Sequence, residues 1–466
     1  MPDSGRRAWP AAATAVVVSG LVASAAYAVP ITGTPGNDRI RGTAEADQIV
    51  VLTGDDRVFA RRGNDVVDLG PGADIARGGR GDDDIGGGPG PDVMWGARGN
   101  DLLRGDADDV GDLVSQDRLH GGRGNDQLFG GDGHDRLWGW RGDDGLDGGR
   151  GPDLLRAGPG NDTLAGTEGN DRLLLGAGAD TAAGGDGNDF HSGGPGPDTQ
   201  DGGPGDDLIF ANLGRDTTEG GDGNDFVHGW AGDDRLFGGS GDDALTGDVS
   251  EAGDRFSVDR LRGGRGADTL RGGDAHDRLF GGPDNDTSFG ELGPDRIGGG
   301  RGDDANDGGP DSDRLHGGAG NDTQQGGTEN DRLRGGAGND NQDGGSEDDR
   351  MAGGPGDDTQ QGGPGNDRIF ANHGRDVTDG GPGDDELWAL LRFDVTGPGD
   401  IAGDAVRGGD GDDVIRVRDG ELDVVGCGPG DDLALLDHAD VTEANDCERV
   451  FRAVPRRGDD RREDGP

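Results

Sequence analysis

Apolar residues are sparse in this chain and fall at fixed intervals. In the stretch GGRGNDQLF, residues 121–129, the aliphatic Leu128 stands between Gln127 and Phe129 after a glycine-rich lead. Side chains alternate along a strand, so three such residues read as a short strand with its middle position inward and its flanks outward. The glycines at frame positions one, two and four allow the positive φ angles of a tight turn. One unit is therefore a turn and a strand, too small to bury its own apolar face, and only stacked neighbours give it a core.

The frame recurs with aspartate at its sixth position. Every ninth residue is Asp from Asp38 to Asp101 (eight times), from Asp117 to Asp243 (fifteen) and from Asp259 to Asp385 (fifteen). A longer period of 18 overlies it. In the third run position seven reads Arg260, Arg278, Arg296, Arg314, Arg332, Arg350 and Arg368, each followed by an apolar residue from Leu261 to Ile369. The intervening repeats place Ser288, Asn306, Gln324, Gln342, Gln360 and Thr378 at that inward position. Consecutive strands are thus not equivalent, and an 18-residue coil with one strand in each of two parallel sheets produces this alternation. One sheet is expected to carry an Arg ladder outside and an aliphatic row inside, the other to be polar in both directions. In the second run Thr163, Thr181, Thr199 and Thr217 recur at the same spacing on an outer face. The simplest reading of these rows is β propensity and charge balance. A flat repeating face for anionic glycans is the second reading.

Composition changes this picture. With 96 acidic against 44 basic residues, a net charge of −52, 105 glycines and 29% hydrophobic residues, the chain has the composition of a disordered one. Without counterions its aspartates repel and its small core cannot offset chain entropy. A hard cation taking six to eight oxygens at variable geometry reverses this, and carbonyl-rich turns with one carboxylate each suit calcium rather than magnesium. Folding and binding are then expected to be one event.

Residues 121–129, 184–190, 317–323 and 362–369 closely resemble the hemolysin-type calcium-binding nonapeptide of the RTX (repeats-in-toxin) family, and the frame covers about three quarters of the chain. The resemblance implies an all-β fold, a parallel β-roll that is a calcium-binding β-solenoid of 18-residue coils, with multiple calcium ions. The expected ligands in the second run are Asp126, Asp135, Asp144, Asp153, Asp162, Asp171, Asp180, Asp189, Asp198, Asp207, Asp216, Asp225, Asp234 and Asp243. In the third they are Asp268, Asp277, Asp286, Asp295, Asp304, Asp313, Asp322, Asp331, Asp340, Asp349, Asp358, Asp367, Asp376 and Asp385, with Asp413 beyond it.

Residues 1–28 read as a secretory signal peptide, with Arg6 and Arg7 ahead of an apolar run and Ala26, Tyr27, Ala28 as the cleavage-type site. Residues 29–104 are irregular repeats that lack some turn glycines, and weaker ion sites are expected there. Two blocks follow, 105–246 and 247–388, each led by a spacer that stretches the Asp-to-Asp step from 9 to 16. The spacers match at an offset of 142 residues that persists downstream, so a large block is read as duplicated. Each spacer has only a faint EF-hand echo, since Val110 or Ala252 and a final Asp replace ligands, and a solvated loop is the better reading. Residues 389–452 hold degenerate repeats and the two cysteines, Cys427 and Cys447, whose secreted context favours a disulfide within a terminal cap. The tail, 453–466, is expected to be disordered.

Nothing here suggests catalysis. No HExxH, GxSxG or P-loop occurs, and the paired acids belong to the turn frame. The expectation is a secreted, extracellular calcium-binding module of structural or adhesive role and no enzyme activity. A glycan- or surface-binding protein using the Thr or Arg face is the alternative, and a remnant or accessory of an RTX enzyme or toxin comes last. Calcium is the expected partner, with glycans second; neither nucleic acid nor stable membrane insertion is expected.

Overall fold

The computed structural model describes residues 29–106, 115–248, 258–389, 403–417, 422–443 and 447–452. The expected signal peptide, the centres of both spacers and the expected tail lie outside the described residues. Within them the chain forms 45 strands and no helix. Each strand pairs in parallel with the second strand before it and the second after it, so odd-numbered strands build one sheet of 23 and even-numbered strands the other. The chain is an all-β, two-sheet parallel roll in which 18 residues make one coil.

The frame explains each coil. In β31 (Arg314–Ala319) and β33 (Arg332–Ala337), Arg314 faces Arg332 outside while Leu315 faces Leu333 inside. In the opposite sheet β32 (Thr323–Thr328) and β34 (Asn341–Ser346) pair Gln324 with Gln342, both buried. The rows thus fall as the 18-residue alternation requires. Turn glycines are needed sterically: Gly122 has φ of 126°, and a Cβ on it would stand 2.5 Å from the Ala97 carbonyl of the preceding coil.

The interior is a narrow column in which most strands have two buried positions, the first filled by a side chain and the second mostly glycine, with exceptions such as Leu175, Ala211 and Ala371. It contains three apolar clusters, running from Ile49 to Ala182, from Val227 to Ile369 and from Ala371 to Leu436. Between the first two, the buried inward side chains are His191, Gln200, Ile209, Ala211 and Thr218. From β28 (Thr287–Leu292) to β38 (Val377–Pro382) one wall of the column is polar, and its glutamines bond in file. Gln342 Nε2 donates to Gln324 Oε1 at 2.7 Å and Gln360 Nε2 to Gln342 Oε1 at 2.8 Å.

The ladders run on across both spacers, since β9 (Leu102–Arg104) pairs with β11 (Gln127–Asp132) and β23 (Arg235–Ser240) with β25 (Arg260–Arg265). The repeated blocks comprise β10 (Arg118–Arg123) to β24 (Ala244–Thr246), and β25 to β39 (Glu386–Trp388), fifteen strands each. Because fifteen is odd, equivalent strands fall in opposite sheets. Thr163 to Thr217 therefore lie on the odd-numbered sheet, whereas the polar inner row of the second copy is on the even-numbered one.

The C-terminal segment continues both sheets rather than forming a separate unit. Strands β40 (Ala405–Asp410) to β45 (Arg449–Arg452) extend the ladders, and Cys427 is bonded to Cys447 with a Cα–Cα distance of 5.1 Å. That cross-link closes a loop worth about 3 kcal/mol in the chain-entropy account. Beyond the last Asp of one file, Glu448 Oε2 accepts the Asp432 amide at 3.2 Å.

Candidate metal centre

Each turn brings its aspartate to the same place. The backbone N–H of Asp126 donates to Asp144 Oδ1 at 2.8 Å, and that of Asp144 to Asp162 Oδ1 at 2.7 Å. The sequence contains two such files, one along each edge of the roll. Every ligand expected in 126–243 and 268–385, and Asp413, lies in a file, is at most 3% exposed, and has Oδ2 buried without a hydrogen-bond partner. A buried carboxylate oxygen left in this way costs several kcal/mol unless a cation meets it.

A second oxygen faces the same gap. A methyl group on Gly272 would stand 2.7 Å from both Asp277 Oδ2 and the Gly290 carbonyl of the next coil, and one on Gly344 would meet Asp349 Oδ2 at 2.5 Å and Gly362 O at 2.7 Å. The absent side chain leaves a cradle lined by one carboxylate and by backbone carbonyls. Among the described residues no cluster of three or more His, Cys, Asp or Glu side chains converges on one point. The donor set is carbonyl-rich oxygen, which suits a hard cation tolerant of irregular geometry.

Electrostatics point the same way. Burial, with the charges of neighbouring file members, pushes Asp259 up to about 9 and Asp376 to about 9, against the pull of a backbone N–H on each. In Asp189, whose shift comes from burial alone against the N–H, the value is about 6. These carboxylates resist ionising in the folded roll without a counter-cation.

The files also extend beyond the residues singled out from sequence. Asp56, Asp65, Asp74, Asp83, Asp92, Asp101, Asp117 and Asp259 share the same geometry, with Oδ2 buried and unpartnered. The nine-residue period alone would have found them. Asp38 and Asp47 differ, because Thr34 and Thr43 stand where a turn glycine is usual and their amides donate to Oδ2 at 2.5 Å each.

The fold and donor set define a calcium-binding repeat roll. A family model described as the RTX calcium-binding nonapeptide repeat matches overlapping windows from 32–67 to 77–109, from 116–146 to 212–245, and from 257–288 to 352–387. The chain belongs to that family. Comparison with curated proteins finds no match.

Proposed function

We propose that the protein is a secreted module that folds on meeting extracellular calcium, with a structural or adhesive role and no catalytic site of its own. The observation that carries this is the pair of aspartate files, in which one carboxylate oxygen per turn is buried beside a backbone carbonyl and lacks a partner. In this reading Asp126 to Asp243, Asp268 to Asp385 and Asp413 supply Oδ2 to calcium while Oδ1 holds the adjacent coil. Bound calcium would supply the positive charge that lets the files pack. The signal-type segment 1–28 and the Cys427–Cys447 bond support export to an oxidising space.

The test is a calcium titration of the chelated chain followed by circular dichroism. Parallel β signal should appear cooperatively at roughly 0.1 to 1 mM calcium, the range of extracellular modules, and magnesium should not replace it. Equal β content in chelator and in calcium would remove the proposal.

A further inference from the structure

One face of the roll runs against the charge of the whole. At the last position of β4 (Arg57–Arg62), β6 (Ile75–Arg80), β8 (Val93–Arg98), β10 and β12 (Arg136–Arg141), the chain places Arg62, Arg80, Arg98, Arg123 and Arg141. They stand in register, Arg62 beside Arg80, Arg98 beside Arg123, and Arg123 beside Arg141. All five are exposed, and none has an ion-pair or side-chain hydrogen-bond partner among the described residues. Among the described residues no other adjacent coils repeat arginine at this strand position. Charge balance would pair such groups with the abundant carboxylates, as Arg104 is paired with Asp84 at 2.6 Å.

An aromatic file flanks them. Arg77 lies 4.8 Å from the Trp95 ring, Trp95 stacks on His120 at 5.5 Å, and His120 stacks on Trp138 at 4.3 Å. Trp140 occupies a left-handed turn position, φ 81°, where glycine is usual, and is 56% exposed. A bulky residue is strained in that backbone conformation. Arginines, rings and turn backbone together enclose an open trough of about 840 Å³.

We propose that this trough binds a linear polyuronate lying along the roll axis. The arginines recur once per coil, about 4.8 Å apart, which offers a continuous row of cations to a chain that carries a carboxylate on each sugar. Each carboxylate turned toward the roll takes a guanidinium, and the exposed Trp140 offers its ring to a sugar. Duplex nucleic acid fits less well, because its phosphates advance about 3.4 Å per strand. Single-stranded nucleic acid needs free ring faces for its bases, and Trp95, His120 and Trp138 cover one another. The assignment rests on the calcium-folded reading, since only a neutralised roll would admit a second polyanion.

The test uses the full chain in calcium, each sample first shown to be folded by circular dichroism. Isothermal titration with short galacturonate oligomers should give binding that weakens with salt and quenches tryptophan fluorescence. The triple variant R98Q/R123Q/R141Q should bind at least tenfold more weakly, W140A should lose most of the quench, and R296Q/R314Q/R332Q on the other sheet should bind as the parent does. Unchanged binding in the trough variant, no binding by the folded parent, or tighter trough-dependent binding of a DNA oligonucleotide or a sulfated glycan would overturn the assignment. Failure to fold in calcium would instead strike the reading beneath it.

Discussion

The two fifteen-strand blocks share their aspartates and glycines and differ inside. In the first, Leu146, Leu164 and Leu236 point inward; 142 residues later the same places hold Ser288, Asn306 and Thr378. In the opposite sense, buried His191 of the first block corresponds to Leu333 of the second. The odd strand count also turns the second block over, exchanging the sheets on which equivalent faces appear. What the two blocks share is the turn; their interiors differ. The difference teaches that the turn cradle sets the coil, while the column accepts polar inward residues, with glutamines facing leucines in the second block and His191 and Gln200 on opposite walls in the first.

If the cradles dominate, removing their charge should act on both blocks alike, and this is the largest effect expected. In chelator, the folded-state values of the files, from about 6 at Asp189 to about 9 at Asp259, lie above the ordinary 3.8. The folded roll then holds more protons than the unfolded chain between about pH 4 and those values, so calcium-free stability is greatest in acid and is lost as pH rises through them. Circular dichroism in chelator should show β structure near pH 4 to 5 and none at pH 7.5. Persistent disorder across the whole range would mean that neutralisation without coordination is insufficient.

A smaller effect separates the blocks. Leu155 in β14 (Leu154–Pro159) has apolar inward neighbours in both sheets, whereas Leu333 faces the glutamine file. Replacing either by alanine should cost about 2 to 5 kcal/mol, and the loss should be local because each coil contacts only its neighbours. Leu155→Ala should lie at the upper end and Leu333→Ala nearer 2 to 3. Hydrogen exchange in calcium would show which coils open. Equal protection loss along the whole chain would contradict nearest-neighbour stacking.

Much of this was legible in advance because the turn chemistry is written at every ninth residue. The Arg260 to Arg368 row, the aliphatic row beneath it and the glutamine row opposite followed from the 18-residue alternation alone. The exchange of sheets was not seen, although it needed only the count of strands between equivalent residues. The trough at Arg80 to Arg141 was hidden for another reason. Its arginines occupy the turn position, outside the three-residue strand that the frame suggests, and the spacer after Arg98 breaks their step from 18 to 25.

The difference between the two interiors can be tested one residue at a time. His191 is wholly buried, neither ring nitrogen has a hydrogen-bond partner, and burial pulls its pKa down to about 4. Its counterpart in the second block is a leucine, so His191→Leu should stabilise the first block by about 1 to 2 kcal/mol. The gain should grow with acidity, because an imidazole depressed from the ordinary 6.5 contributes stability that is present above that value and lost as pH falls towards 4. Thermal melts in saturating calcium at pH 7.5 and 5.5 would measure both parts.

The smallest effect concerns the outer rows, and it separates architecture from surface. Arg332 stands in register between Arg314 and Arg350, exposed, on the strand whose next residue is the buried Leu333. Three like charges in file gain nothing from one another, and exposed ion pairs contribute well under 1 kcal/mol. Arg332→Ala should therefore change stability by less than about 0.5 kcal/mol in calcium, several-fold less than its neighbour Leu333→Ala. In chelator the balance shifts, because the arginine row is then among the few positive charges near the files, and removing it should raise the calcium needed for folding slightly. A large loss in saturating calcium would mean that the row carries packing through its aliphatic stems, and the division into a structural interior and a free exterior would have to be redrawn at this face.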